Sequence, residues 1–330
     1  MILLISQSEW EFTTDLIHDW INHLGGNVQR LNGLDLLDEK ADIHLSNDDF
    51  SVELPSLKFE DINIIWFRRW YHSKNMFHND TSKHKFLVNE FYAMSQYFFS
   101  YLDDKNWYNK HSYFHDYICK SQQLIKAKES GFNIPNTLIT SNKLELLIFF
   151  QRNKSIITKP ISDIDSFFDK KESKLVAPFT SRIDEKYLES LPNIFFPSLF
   201  QEEIIKKYEL RIFFDKGNCY PMAIFSTNNK KTEVDFRQYD NILPNRNVSY
   251  SLTKEEEYMI RDFMKRCDLE TGSLDFIVSE KNELYFLEVN PLGQFGMVSL
   301  PCNYYIEKEI AKKLITLDNE ETKSKKKYNA

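Results

Sequence analysis

The chain has 330 residues, of which 42% are hydrophobic and 15% aromatic, and its formal net charge is −7. This length and composition suit a folded globular protein with two or three domains around a sizeable core, and exclude a disordered or fibrous chain. The acidic balance argues against a general nucleic-acid binder, and no stretch approaches the ~18 apolar residues that a membrane span needs.

Residues 1–105 read as an α/β unit that leads the chain. Met1–Ser6 forms a first strand and, lacking a basic start, not a signal peptide. Phe12–Leu24 carries apolar residues at helical spacing and stops at Gly25-Gly26. Asn27–Leu31 and Ile62–Arg69 read as strands, and Phe86–Leu102 as an aromatic-rich helix. A second unit spans residues 106–195. Its helix Lys120–Ser130 ends at Gly131, Ile134-Pro135 leads into the strand Thr137–Thr140, and Lys143–Gln151 is a helix. The strand Ser155–Lys159 stops at Pro160; a polar loop then precedes a strand at Lys174–Thr180. The third unit, residues 196–318, is strand-rich: Ser198–Ile204, Glu209–Asp215 and Tyr220–Ser226, the last two joined by a turn at Lys216-Gly217-Asn218. A helix at Lys254–Cys267, a hairpin and a closing helix from about Asn303 to Ile315 complete it. Residues 319–330 are polar and basic around Lys323–Lys327, which predicts a disordered tail.

The hairpin carries most of the chemistry. Ser273–Ser279 and Leu284–Val289 are apolar, β-prone runs around a polar turn at Lys281-Asn282. With those two residues as the loop, Asp275 lies opposite Glu288, and Asn290 points the same way as Glu288. Facing carboxylates repel, and a divalent cation removes that cost. Two carboxylates and an amide oxygen, completed by phosphate oxygens, suit Mg²⁺ beside ATP.

Other candidates are weaker taken singly. Lys159 ends an apolar strand and either meets a phosphate or snorkels to solvent; Lys120 opens a helix and, without context, is a solvated residue. Gln201-Glu202-Glu203-Ile204 ends one strand, where backbone groups could meet an adenine ring and an acid could take ribose hydroxyls. Glu209 and Arg211 alternate onto one face of the next strand, which modestly favours a polar cleft over a surface pair. Arg237 lies downstream. Arginine forks suit carboxylate and phosphate, and two of them near Mg²⁺ suit a transferring phosphoryl group. Arg68 and Arg69 either line a cleft or are a strand-end basic pair. Glycine is scarce, at 8 residues, and neither GxGxxG nor GxxxxGK[ST] occurs, so a P-loop is excluded. Cys119, Cys219, Cys267 and Cys302 form no CxxC and read as reduced thiols of a cytoplasmic protein. No nucleophilic triad or HExxH stands out.

Together these residues resemble the ATP-grasp superfamily, and within it the peptide-modifying branch: the microviridin-type, or graspetide, ligases and the grasp-with-spasm peptide maturases. The resemblance spans nearly the whole chain. It rests on Trp-Phe-Arg-Arg (66–69), Lys-Ser-Gln-Gln-Leu (120–124), Ile-Pro-Asn-Thr-Leu-Ile-Thr (134–140), Ile-Thr-Lys-Pro (157–160), Gln-Glu-Glu-Ile (201–204), Glu-Leu-Arg (209–211), Val-Asp-Phe-Arg (234–237), Asp275 and Leu-Glu-Val-Asn-Pro-Leu-Gly-Gln-Phe (287–295). It implies an α/β fold with a pre-ATP-grasp domain followed by two α+β lobes that clasp ATP. In that frame Lys120 and Lys159 contact ATP phosphates, Gln201, Glu202, Glu203 and Ile204 form the adenine hinge, and Glu209 lies near the ribose or triphosphate. Asp275, Glu288 and Asn290 hold Mg²⁺, while Arg211 and Arg237 act at the acyl phosphate or acceptor carboxylate.

The implied activity is ATP-dependent activation of Asp or Glu side chains in a ribosomal precursor peptide, followed by an intramolecular ester or amide bond. The implied partner is that peptide, with a leader and a core rich in Thr/Ser and Asp/Glu, and related ligases suggest a homodimer. One departure from the family stands out. Many ATP-grasp proteins cover the phosphates with a glycine-rich loop, whereas 161–173 has no glycine and offers the hydroxyls of Ser162 and Ser166. The alternatives are a ligase that joins free amino acids or extends a protein tail, like glutathione synthetase or ribosomal-protein glutamate ligases, and a catalytically silent relative that binds peptide.

Overall fold

The computed structural model describes residues 1–8, 11–70, 82–109, 119–161, 167–169, 174–176, 180–227, 242 and 244–328. The chain divides into two compact units, one of Met1–Tyr117 with Gln294–Ser299 and Tyr304–Ala330, the other of Ile118–Gly293 with Leu300–Asn303.

In the first unit, β1 (Ile2–Ser6) is buried along its whole length because it is the middle strand of a parallel sheet. Helix α1 (Phe12–His23) turns Thr14, Ile17 and Ile21 inward. β2 (Val28–Asn32) lies on one side of β1. After the short helix α2 (Asp35–Asp38) and the hairpin of β3 (Asp42–Leu45) and β4 (Phe50–Glu53), β5 (Ile64–Phe67) pairs with its other side. Helix α3 (Ser82–Leu102) supplies Phe98 and Phe99, whose rings stack on or meet edge-on those of Trp70, Phe67 and Phe59. The aromatic run thus serves as core. The C-terminal helix Ile306–Tyr328 packs with α1, and Asp318 accepts hydrogen bonds from Asn63 (2.8 Å) and from the terminal amine of Met1 (2.7 Å). Residues 319–328 are therefore helical where a disordered tail was expected. The low apolar content of that stretch hid the anchoring of its earlier turns.

The second unit opens with α4 (Lys120–Glu129), which stops at Gly131, whose φ of +96° suits glycine. β6 (Thr137–Asn142), α5 (Lys143–Asn153), β7 (Ile156–Lys159), the short pair β8 (Phe167–Asp169) and β9 (Lys174–Val176), β10 (Ser181–Ile183), α6 (Glu185–Ser190) and β11 (Ile194–Glu202) follow. Four of these strands make an antiparallel sheet in the order β10-β7-β11-β6. Its core is Leu146, Ile156, Ile183, Leu188 and Phe200.

β12 (Lys206–Asp215), β13 (Asn218–Phe225), β14 (Arg246–Ser249), α7 (Lys254–Arg266), β15 (Thr271–Ser279) and β16 (Leu284–Asn290) build the second lobe around a five-stranded antiparallel sheet, β14-β13-β12-β15-β16. One face of this sheet is apolar. Leu210, Ile212, Phe214, Leu274, Phe276, Phe286 and Val289 bury themselves with Leu124 and Ala127 of α4 and with Ile260, Phe263 and Met264 of α7. Strand alternation then sends their neighbours to the opposite face, which carries the polar site. Among the described residues no helix is long and apolar enough to cross a membrane, and the cysteines are all free thiols.

Candidate functional site

Across β15 and β16, Asp275 faces Glu288 and Ser273 faces Asn290, the alignment expected from the sequence. The route to it differs. The turn is longer than Lys281-Asn282: Ser279 N–H donates to the Glu283 carbonyl at 2.9 Å, Val278 pairs with Leu284, and Asn282 takes a left-handed φ of +62°. This loop leaves the register one residue short, and Asp275 would meet Leu287. A bulge between the Phe276–Phe286 and Asp275–Glu288 pairs restores the alignment. The bulge also lets both Phe286 and Val289 reach the core.

Each of the two carboxylates has a cation beside it. Arg211 stands opposite Asp275 on β12, and its Nη1 donates to both carboxylate oxygens, at 3.1 and 3.0 Å. Lys120 of α4 brings its Nζ to 3.3 Å from Glu288. One helical turn on, the buried Gln123 bonds the backbone of Val289. The Asn290 side-chain oxygen accepts the Leu292 N–H at 3.0 Å, and Gly293 N–H closes the turn on the Asn290 carbonyl at 2.9 Å. This arrangement directs the amide oxygen, not the nitrogen, into the turn. Glu209 is buried, paired with Lys206, and accepts from Ser226 Oγ at 2.9 Å. Lys206 and Ser226 had no signal of their own in the sequence, and Gln123 lay within the Lys-Ser-Gln-Gln-Leu motif (120–124) without a role assigned to it. Gln123 could have been noticed as a polar residue inside the Leu124/Ala127 apolar stripe of α4.

On the other sheet, Lys159 ends β7 opposite Leu199, two residues from Gln201 along β11. Gln201 is fully buried and donates to Thr137 Oγ1 at 2.9 Å. The N–H groups of Glu202 and Glu203 donate to the carbonyls of Asn136 (2.8 Å) and Ser155 (3.1 Å), which brace the chain entering Ile204. The Glu203 carboxylate is committed within this lobe. It accepts from Arg182 Nε at 2.8 Å and from Ser155 Oγ at 2.5 Å. Burial acts to raise its pKa, but these two hydrogen bonds outweigh burial and hold it below the ordinary carboxylate value. Arg68 and Arg69 both pair with the buried Glu11, and Arg68 lies 5.8 Å over the Phe295 ring. Burial, only partly offset by Glu11, pushes Arg68 down to about 10, so it stays charged at neutral pH. Arg237, Ser162 and Ser166 lie outside the described residues.

No protein-family model and no curated protein matches the chain. Solved structures do. An RiPP-associated ATP-grasp ligase of Chryseobacterium gregarium, solved with ADP and a leader and core peptide, is 26% identical with a TM-score of 0.79, over 97% of this chain and 96% of that one. The macrocyclase MdnC of Microcystis aeruginosa MRC, bound with precursor peptide MdnA, has the same TM-score of 0.79 at 24% identity, over 96% of this chain and all (100%) of that one. The ATP-grasp ligase PsnB, complexed with minimal precursor, Mg and ADP, aligns at a TM-score of 0.74 and 16% identity over 96% of this chain and 97% of that one. The chain is similar to these ATP-grasp ligases over nearly its whole length.

The residues of this ATP-grasp ligase suit Mg²⁺ in one specific way. Among the described residues no three His, Cys, Asp or Glu side chains come together to hold a metal ion, so these residues form no all-protein cage. The facing Asp275 and Glu288, with Asn290 two residues on, would supply part of an oxygen shell and leave nucleotide phosphates and water to complete it, as Mg²⁺ prefers.

Proposed function

We propose that this ATP-grasp ligase activates Asp or Glu side-chain carboxylates of a ribosomal precursor peptide as acyl phosphates and closes intramolecular ester or amide rings. The reading is carried by the juxtaposition of Asp275 and Glu288, with Arg211 and Lys120 each bound to one of them. Support for a peptide substrate comes from neighbours solved with precursor, leader and core peptides. The core would be rich in Thr/Ser and Asp/Glu, and the enzyme a homodimer.

In the first step a peptide carboxylate oxygen attacks the γ-phosphorus of ATP, and ADP departs. In the second, a Ser or Thr hydroxyl, or a Lys amine, of the same peptide attacks the acyl carbon, and phosphate leaves. Mg²⁺ held by Asp275, Glu288 and Asn290 would neutralise charge on the phosphates. Lys120 and Lys159 would orient those phosphates, and Gln201, Glu202, Glu203 and Ile204 would frame the adenine. Glu209 would lie near the ribose or triphosphate and hold Lys206 there. Arg211 and Arg237 would stabilise the negative charge that develops around the acyl phosphate.

The test is intact-mass analysis of a Thr/Ser- and Asp/Glu-rich peptide encoded beside the gene, after incubation with enzyme, ATP and Mg²⁺. Loss of one water per ring, abolished by Glu288→Gln, is expected. ATP consumption without water loss would instead indicate a ligase for free amino acids or a protein tail, and no turnover a silent peptide-binding relative.

A further inference from the structure

Among the described residues β16 is an edge strand, so apart from a single bridge between Tyr285 and Asn133 the backbone groups on its outer side have no strand to pair with. At Phe286 the N–H is taken by the Asn133 carbonyl at 2.9 Å. At Val289 the partner is a side chain. Gln123 of α4 accepts the Val289 N–H on its Oε1 at 2.9 Å and donates from Nε2 to the Val289 carbonyl at 3.1 Å. Only one orientation of the amide satisfies both bonds, and Gln123 is 2% exposed, so the contact is dry and directional. The residue clamped in this way lies between Glu288 and Asn290. Lys120, three residues before Gln123 and on the same face of α4, reaches Glu288.

We infer that Gln123 is a positioning residue of the metal site: it stands in for a missing strand at Val289 and thereby fixes the spacing of the two ligands on either side. A bulge one residue before Glu288 leaves this end of β16 with a locally disrupted ladder to β15. The orientation of Glu288 and Asn290 therefore leans on α4. The inference rests on the proposed Mg·ATP reading and adds a residue to it. Gln123 is buried and bound to the Val289 backbone, so its loss should act through metal affinity.

The test uses the full-length enzyme with Gln123→Met, which keeps the length and loses both bonds. Gln123→Glu keeps one bond and serves where Gln123→Met does not fold. ADP binding is followed by calorimetry across a Mg²⁺ series and in excess EDTA. The Mg²⁺ concentration for half-maximal enhancement of ADP binding should rise about ten- to a hundredfold, the usual cost of losing a partner behind a metal ligand, with ADP affinity in EDTA unchanged. An unchanged Mg²⁺ requirement, or an equal loss of ADP affinity with and without Mg²⁺, would overturn the inference and make Gln123 a packing residue. Glu288→Gln, run in parallel, separates the failures. If it too keeps the parental Mg²⁺ requirement, the hairpin is not the metal site and the reading falls along with the inference. If it alone loses that requirement, only the role of Gln123 falls.

Discussion

Lys120 Nζ lies 3.3 Å from the Glu288 carboxylate, joining the first turn of α4 to the edge strand β16. With Arg211 on Asp275, both facing carboxylates are neutralised by the chain itself. A cation entering between them must compete with these two side chains and, on arrival, frees them for phosphate oxygens. Lys120→Met should therefore strengthen Mn²⁺ binding in the absence of nucleotide. An exposed pair is worth up to about 1 kcal/mol and this one is largely buried, so a shift of at least a few-fold is expected by Mn²⁺ titration, while ATP turnover falls. Weaker Mn²⁺ binding in Lys120→Met would rule out the competition.

Gly293 has no room for a side chain. A Cβ there would lie 2.1 Å from Ser273 Oγ and 2.5 Å from the Ser273 backbone nitrogen. Ser273 is fully buried on the strand opposite Asn290, so the strain would fall on the turn that holds the Asn290 oxygen. Gly293→Ala should cost about 1–3 kcal/mol, the range for forced overpacking, in urea unfolding. Ser273→Gly should recover only part of that loss, since the backbone nitrogen remains in the way. A Gly293→Ala enzyme as stable as the parent would mean that the turn can shift freely.

Glu203 gives a pH-dependent expectation. Its folded pKa is held below the ordinary value by Arg182 and Ser155, against burial. A carboxyl with a depressed folded pKa contributes stability above its unfolded value, about 4.3, and loses that contribution as pH falls through the folded value. Glu203→Gln should then be less stable than the parent at pH 7, and the difference should shrink as pH falls below about 4.3 and disappear once the pH is below the folded value. The Arg182 side chain is 48% exposed, so screening limits the neutral-pH difference to about 1 kcal/mol at most. A difference that persists at low pH would trace to the packing of Glu203 and not to its charge.

The hairpin was legible because two residues apart on a strand share a face, and the acids stand out among apolar neighbours. Its register was reached by a simpler path than the molecule takes: an assumed two-residue loop gave the same Asp275–Glu288 alignment as the longer turn and the bulge combined. The helices α4 and α7 were readable to within a residue at each end, α4 with its stop at Gly131. The clamp by Gln123 was not, because it depends on which helix covers the edge of β16, and that is a contact 166 positions apart in the chain. Pairing Glu203 with Arg182 and Ser155 was equally out of reach, since nothing local distinguishes it from its neighbour Glu202. The helical course of residues 319–328 was missed because a polar composition gives no sign of a helix already anchored upstream by Asp318.

Cys119 offers an independent probe of the start of α4. It is exposed, precedes Lys120, and its sulfur lies 3.1 Å from Ser121 Oγ. That hydroxyl, with the backbone N–H of Gln122, lowers its pKa, whereas burial pushes Cys219 up to about 12 and Cys267 to about 11 and also raises Cys302. The thiolate is the reactive form, so a limiting amount of iodoacetamide at neutral pH should modify Cys119 first, as read by peptide mass mapping. The rate should rise with pH at a lower midpoint than for a free thiol, whose pKa is about 8.5. If Lys120 contacts ATP phosphates, Mg·ADP should slow the labelling, and the carbamidomethyl group should impair ATP turnover while Cys119→Ser leaves it intact. Labelling at an undiminished rate under saturating Mg·ADP would place the nucleotide away from the N-terminus of α4, and Lys120 would then serve only to neutralise Glu288.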